Sequence, residues 1–339
     1  MKRKILLFSV AVMVVIGLLG VGCAPQAAPP EEATYEWTFG QCFPEGTIRY
    51  DFAEDLVKRV DEASNGRIIL NHYPGDLLGD WAVQAENVMR GTQDVYVGAV
   101  PSSVTPKWEV HSLVYIVGDW DHAYEFYKPG GWLYGVFQKI AEEDSNWKVL
   151  GIAPEGFAGI VSTKEFAPMP GPKNLKARVM GAEGWRLMME AIGFDAVTMP
   201  WSEIHSALML GTIDAAMGAT GADDYDMFSD VADYAYFYNA AFGTNLLIVN
   251  LDLFNSLSPA DQELLEKVGS EWTAYTWSVY KDYQDEKWDE IRAAGKIEII
   301  ELTPEQWSAN AEVVRAAAWP YYEEVVGKDI MDVIEANAA

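Results

Sequence analysis

A nine-residue pattern occurs twice in this chain, 120 positions apart. Gly91-Thr92-Gln93-Asp94-Val95-Tyr96-Val97-Gly98-Ala99 returns as Gly211-Thr212-Ile213-Asp214-Ala215-Ala216-Met217-Gly218-Ala219, with five of nine positions identical. Each copy follows a helical pattern, stops it with Gly and enters a short apolar run. Gly suits that stop because it adopts the left-handed conformation a helix C-terminus needs. Strand patterns precede both copies, residues 67–73 before the first and 195–199 before the second. A chain that builds strand–helix–strand twice is expected to form two similar lobes. Two lobes enclose a cleft, and clefts between domains favour ligands.

Hydropathy spacing extends this picture along the chain. Strands are expected at 35–39, 67–73, 112–117, 147–152, 159–162, 177–180, 195–199, 246–250 and 296–301. Helices are expected at 47–65, 81–90, 182–192 and 202–210, with a further one over 121–144 interrupted at Pro129-Gly130-Gly131. Alternation of the two predicts an α/β fold. Residues 259–294 read as one long helix, with Leu264, Val268, Trp272, Tyr275 and Val279 on an apolar face. At 1.5 Å per residue it measures roughly 50 Å, enough to touch both lobes. Pro304 opens a last helical region. The expected division is 35–152 mainly for the first lobe and 153–250 mainly for the second. Residues 251–339 then supply the long helix and C-terminal elements packing on both.

The N-terminus reads as an export signal. Lys2, Arg3 and Lys4 precede an uncharged, mostly apolar stretch to Gly22. Residues 1–22 resemble a bacterial lipoprotein signal peptide, which implies cleavage before Cys23 and lipidation of that cysteine. Residues 23–34 are rich in Pro and Ala and read as a disordered tether. The chain is thus expected outside the cytoplasm, in the periplasm or at the cell surface, held to the membrane by its lipid. Cys42 is the only other cysteine, so no internal disulfide is expected. The formal net charge is −27, and loss of the leader's three cations makes it more negative. Such a charge argues against nucleic acid as a partner.

Several elements then fall into a recognisable order. Asn65-Gly66-Arg67, Pro74-Gly75-Asp76-Leu77-Leu78-Gly79 and Gly91-Thr92-Gln93-Asp94 come first. Gly171-Pro172-Lys173-Asn174-Leu175-Lys176-Ala177-Arg178-Val179, Ile192-Gly193, Val197-Thr198-Met199-Pro200-Trp201-Ser202-Glu203 and Gly211-Thr212-Ile213-Asp214 follow. Together they resemble the extracytoplasmic substrate-binding subunits of TRAP transporters, the tripartite ATP-independent periplasmic importers, over about residues 37–333. The resemblance implies a two-lobed periplasmic-binding-protein-like fold of type II, crossed by the long helix. It also implies a small and a large membrane subunit as partners, an ion gradient as the driving force, and an organic acid as ligand.

Arg178 stands where that family places the arginine that clamps a ligand carboxylate. A guanidinium suits the task, since its rigid fork holds a carboxylate in two parallel hydrogen bonds. Trp201, Phe157, Asn245, Met217, Glu155 and Phe43 are the other candidate ligand contacts. Two departures bear on the ligand. Many relatives carry polar contacts after the second Gly-x-x-Asp, where this chain has Met217-Gly218-Ala219. Dicarboxylate-like and sialic-acid-like members have a second arginine shortly after the equivalent of Gly156, where this chain has Phe157 and Ala158. One clamp favours a monocarboxylate with an apolar or aromatic body, because a second buried carboxylate needs its own partner.

No cofactor or metal is expected. Asp223-Asp224-Tyr225-Asp226 lacks calcium-loop spacing and reads as a solvated charge run. Catalytic signatures are missing as well: there is no His-Glu-x-x-His, no Gly-x-Ser-x-Gly and no phosphate loop. The alternatives are the binding subunit of an ATP-driven importer or of a sensor, and a secreted hydrolase on a similar scaffold.

Overall fold

The structure is a computed structural model that describes residues 34–338. Cys23 and the leader lie outside the described residues. The fold set out below belongs to one compact unit that begins at Glu36. Its first half comprises β1 (Tyr35–Gln41), α1 (Ile48–Ser64), β2 (Ile68–Tyr73), α2 (Trp81–Arg90), β3 (Val95–Gly98), α3 (Trp120–Tyr127), α4 (Trp132–Asp144), β4 (Trp147–Phe157) and β5 (Gly159–Ser162). Then come β6 (Lys176–Val179), α5 (Glu183–Ala191), β7 (Asp195–Thr198), α6 (Ile204–Met209), β8 (Ala215–Ala219), α7 (Ala222–Met227), β9 (Tyr234–Phe237) and β10 (Phe242–Asn250). The chain ends in α8 (Leu251–Ser256), α9 (Pro259–Ala294), β11 (Glu298–Glu301), α10 (Pro304–Val326) and α11 (Lys328–Asn337).

Two mixed sheets result, in the orders β2-β1-β3-β10-β4 and β11-β9-β5-β8-β6-β7. The repeat is a matched structural device within them. Gly91 and Gly211 both take the left-handed conformation, at φ 71° and 67°. In each turn the Gly N–H donates to a carbonyl three residues back, at 3.1 Å to Val88 and 3.0 Å to Leu208. The Thr N–H reaches one five residues back, at 3.0 Å to Asn87 and 2.9 Å to Ala207. Each Asp then ties its turn to the neighbouring parallel strand. Asp94 accepts from Thr38 N at 2.7 Å, and Asp214 accepts from Lys176 N at 2.9 Å. β1 runs parallel to β3, and β6 parallel to β8. The repeated motif therefore sets the register of each lobe's parallel core.

Each lobe receives an antiparallel strand through a crossing of the chain. β4 belongs to the first sheet and continues past Ala158 into β5 of the second. β9 of the second sheet leads back to β10 of the first. Residues 147–157 and 242–250 thus lie on the first sheet. The two crossing strands pair antiparallel, with register shifts between Gly243 and Thr244 and between Leu247 and Ile248. Because Gly243 faces Gly156 and Thr244 faces Pro154, Glu155 is left out of the ladder as a β-bulge. Gly156 takes φ 104°, and a Cβ there would overlap the Thr220 carbonyl, so the bulge demands glycine.

The long helix is α9. Its N-terminal half packs Leu265, Val268 and Trp272 into the first lobe, while Trp288 packs 4.4 Å from the Phe237 ring of the second. It also satisfies polar groups of the bulged strand. Thr273 accepts from Ile152 N at 3.0 Å, Trp277 donates to Ile152 O at 2.9 Å, and Tyr280 donates to Glu155 O at 2.9 Å.

One expected strand is absent. Residues 112–117 follow a 3-10 turn (Pro106–Ser112) and form a buried irregular segment with Tyr115 at φ 53°. Side chains replace a strand partner there. Trp185 and Tyr322 donate to Ser112 O at 3.0 and 2.7 Å, Trp319 to Val114 O at 3.2 Å, and Arg315 to Tyr115 O. An apolar run with satisfied carbonyls can thus be buried without a ladder.

Candidate functional site

A cavity of about 260 Å³ opens between the lobes, past the C-terminal ends of the parallel strands. Ligands in open α/β sheets favour this position. One wall is Arg49 of α1, Trp81, Ala99, Val100, His111 and Ser112. The facing wall is Met180, Trp185, Trp201, Gly218, Thr220 and Asp224, while Glu155, Ala241, Phe242 and Gly243 of the crossing strands form the floor.

Arg178 lies on β6 beneath Gly218. It is 5% exposed, its Nε donates to Met199 O at 2.8 Å and its Nη1 to Met217 O at 3.0 Å. Its guanidinium sits 5.5 Å from the Trp201 ring. Nη2 has no hydrogen-bond partner among the described residues, yet it is not sealed from solvent. Among the described residues no carboxylate pairs with this arginine. Burial accordingly pushes its pKa down to about 10, which still leaves it charged at neutral pH. Gly218 controls access to it. At φ 122°, a Cβ on Gly218 would stand 3.1 Å from Arg178 Nη1, inside the space that leads to the guanidinium. The residues after the second Gly-x-x-Asp therefore matter through a missing side chain.

Arg49 is a second cation in the cleft, and the sequence reading missed it. Burial would lower its pKa, but Tyr280, Glu155 and Asp224 outweigh burial and hold it above the ordinary value. Its Nη2 donates to Tyr280 at 3.3 Å, and its guanidinium lies 5.1 Å from the Phe43 ring. Glu155 is raised by burial, with Arg49 opposing. Asp224 accepts from Thr220 N at 3.0 Å and Oγ1 at 3.2 Å, and so is a wall of the cleft rather than part of a solvated run. Among the described residues, Arg49 has Glu155 and Asp224 near enough to favour its charge, without an ion pair within 4.0 Å, and Arg178 has no such acid.

His111 completes the first-lobe wall. Its Nε2 lies 3.0 Å from Thr244 O and 3.1 Å from Thr244 Oγ1. Burial pushes its pKa down to about 4, only partly offset by the Thr244 bond, so the ring is neutral at pH 7. The sign of the pH effect follows. Its folded pKa is below its unfolded value, so the unfolded chain protonates first. The stability is complete above about pH 6.5 and is lost as pH falls towards 4. From pH 7 to pH 5 this group alone is expected to remove about 2 kcal/mol. Urea titrations at the two pH values check this; His111→Phe should show the smaller dependence.

Of the expected contacts, Trp201 and Glu155 line this cavity and Arg178 adjoins it through Gly218. The other four are placed elsewhere. Met217 is 1% exposed in the core and offers only its carbonyl, because strand alternation turns Gly218 to the cleft instead. Phe157 packs edge-on to Phe242 at 4.8 Å and lines an adjoining cavity of about 340 Å³ beside α9, which shares Thr220 with the cleft. Among that cavity's lining residues Lys281 pairs with Asp285 at 3.0 Å, and Asp119 lies 2.6 Å from His122 Nδ1. Asn245 is 2% exposed behind Glu155, and Phe43 stacks on Arg49; neither reaches the cavity wall.

Comparison with known proteins agrees with this architecture. The family model for bacterial extracellular solute-binding proteins, family 7, matches residues 39–328. A monocarboxylate 2-oxoacid-binding periplasmic protein of Nostoc sp. is 27% identical over 352 residues, 97% of this chain and 90% of its own. A C4-dicarboxylate-binding periplasmic protein of Rhodobacter capsulatus is 27% identical over 306 residues, 85% of this chain and 86% of its own. A solved TRAP periplasmic solute-binding protein of Ochrobactrum anthropi has a TM-score of 0.81 at 19% identity, over 91% of this chain and 95% of its own. The chain belongs to the bacterial extracellular solute-binding proteins of family 7, the extracytoplasmic binding subunits of TRAP transporters.

Proposed function

We propose that this protein captures a monocarboxylate with an apolar or aromatic body and delivers it to the membrane subunits of a TRAP importer. The observation that carries this reading is Arg178, a cation with no acid beside it among the described residues, at the edge of a cleft whose other arginine has Glu155 and Asp224 near it. An isolated buried charge is unfavourable, and a bound carboxylate relieves that burden with paired, charge-assisted hydrogen bonds. Trp81, Trp185, Trp201 and Phe242 give the ligand body apolar surface on several sides. A second carboxylate would meet Glu155 and Asp224, which repel it. In a thermal-shift screen of organic acids, monocarboxylates with a ring or branched chain are expected to give the largest shifts. A ligand at about 100 times its dissociation constant adds roughly 2.7 kcal/mol. Shifts confined to dicarboxylates or sugar acids would contradict the reading.

The same reading places the mature chain on the membrane through lipid on Cys23, the first residue after the leader. Cys23→Ser is expected to release the protein into the soluble fraction. Retention of that variant with membranes would argue for another anchor.

A further inference from the structure

The cleft has two chemically different poles. Arg178, with Trp201 beside it, offers donors on the second-lobe side. The first-lobe side offers an acceptor of a particular kind. A backbone carbonyl can only accept, so the 3.0 Å contact between His111 Nε2 and Thr244 O fixes the proton on Nε2. In a neutral ring the other nitrogen then holds a bare lone pair. His111 Nδ1 has no hydrogen-bond partner among the described residues, is not closed off from solvent, and belongs to a residue that lines the cleft. Glu155 on the floor and Asp224 opposite add further acceptors.

We propose that the bound solute carries an O–H or N–H group that donates to His111 Nδ1, making it a hydroxy- or amino-substituted carboxylate rather than a simple oxo acid. The inference rests on the carboxylate reading of Arg178. An oxo group turned towards His111 would set two lone pairs against each other, whereas a hydroxyl supplies the missing proton. Sites built to bond a ligand's donor reject the analogue that lacks it.

Matched pairs test this by calorimetry: mandelate against phenylglyoxylate, and 2-hydroxyisocaproate against 4-methyl-2-oxopentanoate. Within each pair the carboxylate and apolar body are shared, and only O–H and C=O differ. The hydroxy member is expected to bind at least about tenfold more tightly. His111→Phe should abolish that preference and His111→Gln, which keeps an acceptor, should restore part of it. Should His111→Phe fail to fold, the imidazole 15N spectrum of the wild-type protein gives an independent reading. Nδ1 is expected to be unprotonated in the free protein and to shift with mandelate but not with phenylglyoxylate. Equal affinity within both pairs, each lost in Arg178→Ala, would overturn the donor proposal and leave the carboxylate reading standing. A protonated Nδ1 in the free protein would also overturn it. If no member of either pair binds, the carboxylate reading falls, and the donor proposal with it.

Discussion

Trp272→Ala is expected to destabilise the ligand-free protein by about 3–5 kcal/mol, the range for removing a large aromatic from a core. Trp272 is fully buried on α9, and its Nε1 donates to Phe52 O of α1 at 2.8 Å. Truncation would therefore empty a large volume and remove a second hydrogen bond from a carbonyl of the α1 ladder. Collapse cannot easily fill the space, because α9 already touches β4 at its closest limit. A Cβ on Gly269 would overlap Leu150 O, and one on Gly151 would stand 2.8 Å from Gly269 O. Denaturant titration without ligand measures the effect. A loss below about 1 kcal/mol would mean that α9 is not the strut described above.

Much of the fold was legible because its signals are local. Gly-Thr-x-Asp encodes a helix stop, a turn and a strap to the next strand within four residues, and both copies fold that way. The 259–294 helix was legible from its apolar spacing, but only Val268 and Trp272 of the expected face are buried; Leu265, Trp277 and Tyr280 complete the packed face, and Tyr275 is exposed. Residues 112–117 were not, because an apolar run reads alike whether its carbonyls meet a strand or the side chains of Trp185, Arg315, Trp319 and Tyr322. Those partners lie more than 70 residues away in sequence.

The cleft divides in the same way. Arg178 and Trp201 could be named from a resemblance in the chain around them. Arg49, His111 and Asp224 could not, since each becomes a cleft residue only when two lobes are set face to face. The one available hint was Arg49 itself, a cation in the first turn of a helix, where the dipole disfavours it. Its neighbours Glu155 and Asp224 come from 106 and 175 positions further along. Met217, expected as a ligand contact, turns its side chain into the core. One residue along a strand exchanges core for cleft, so Gly218 faces the cleft while the Met217 carbonyl accepts from Arg178.

Arg178→Ala carries the second large expectation. A hydrogen bond to a charged group contributes about 1.5–3 kcal/mol, so losing the fork should weaken carboxylate binding tenfold to about a hundredfold. Arg178→Lys should recover little, because an ammonium keeps the charge and loses the planar fork. Arg178→Ala costs the bonds to Met199 O and Met217 O, but the fold should survive both changes, since among the described residues no acid pairs with this cation and none would be stranded. Isothermal calorimetry on wild-type protein and Arg178→Ala, with the monocarboxylate giving the strongest thermal shift, tests the central claim most directly. At least a tenfold loss, with the variant still folded by circular dichroism, is the predicted result. An unchanged dissociation constant would show that Arg178 does not hold the ligand.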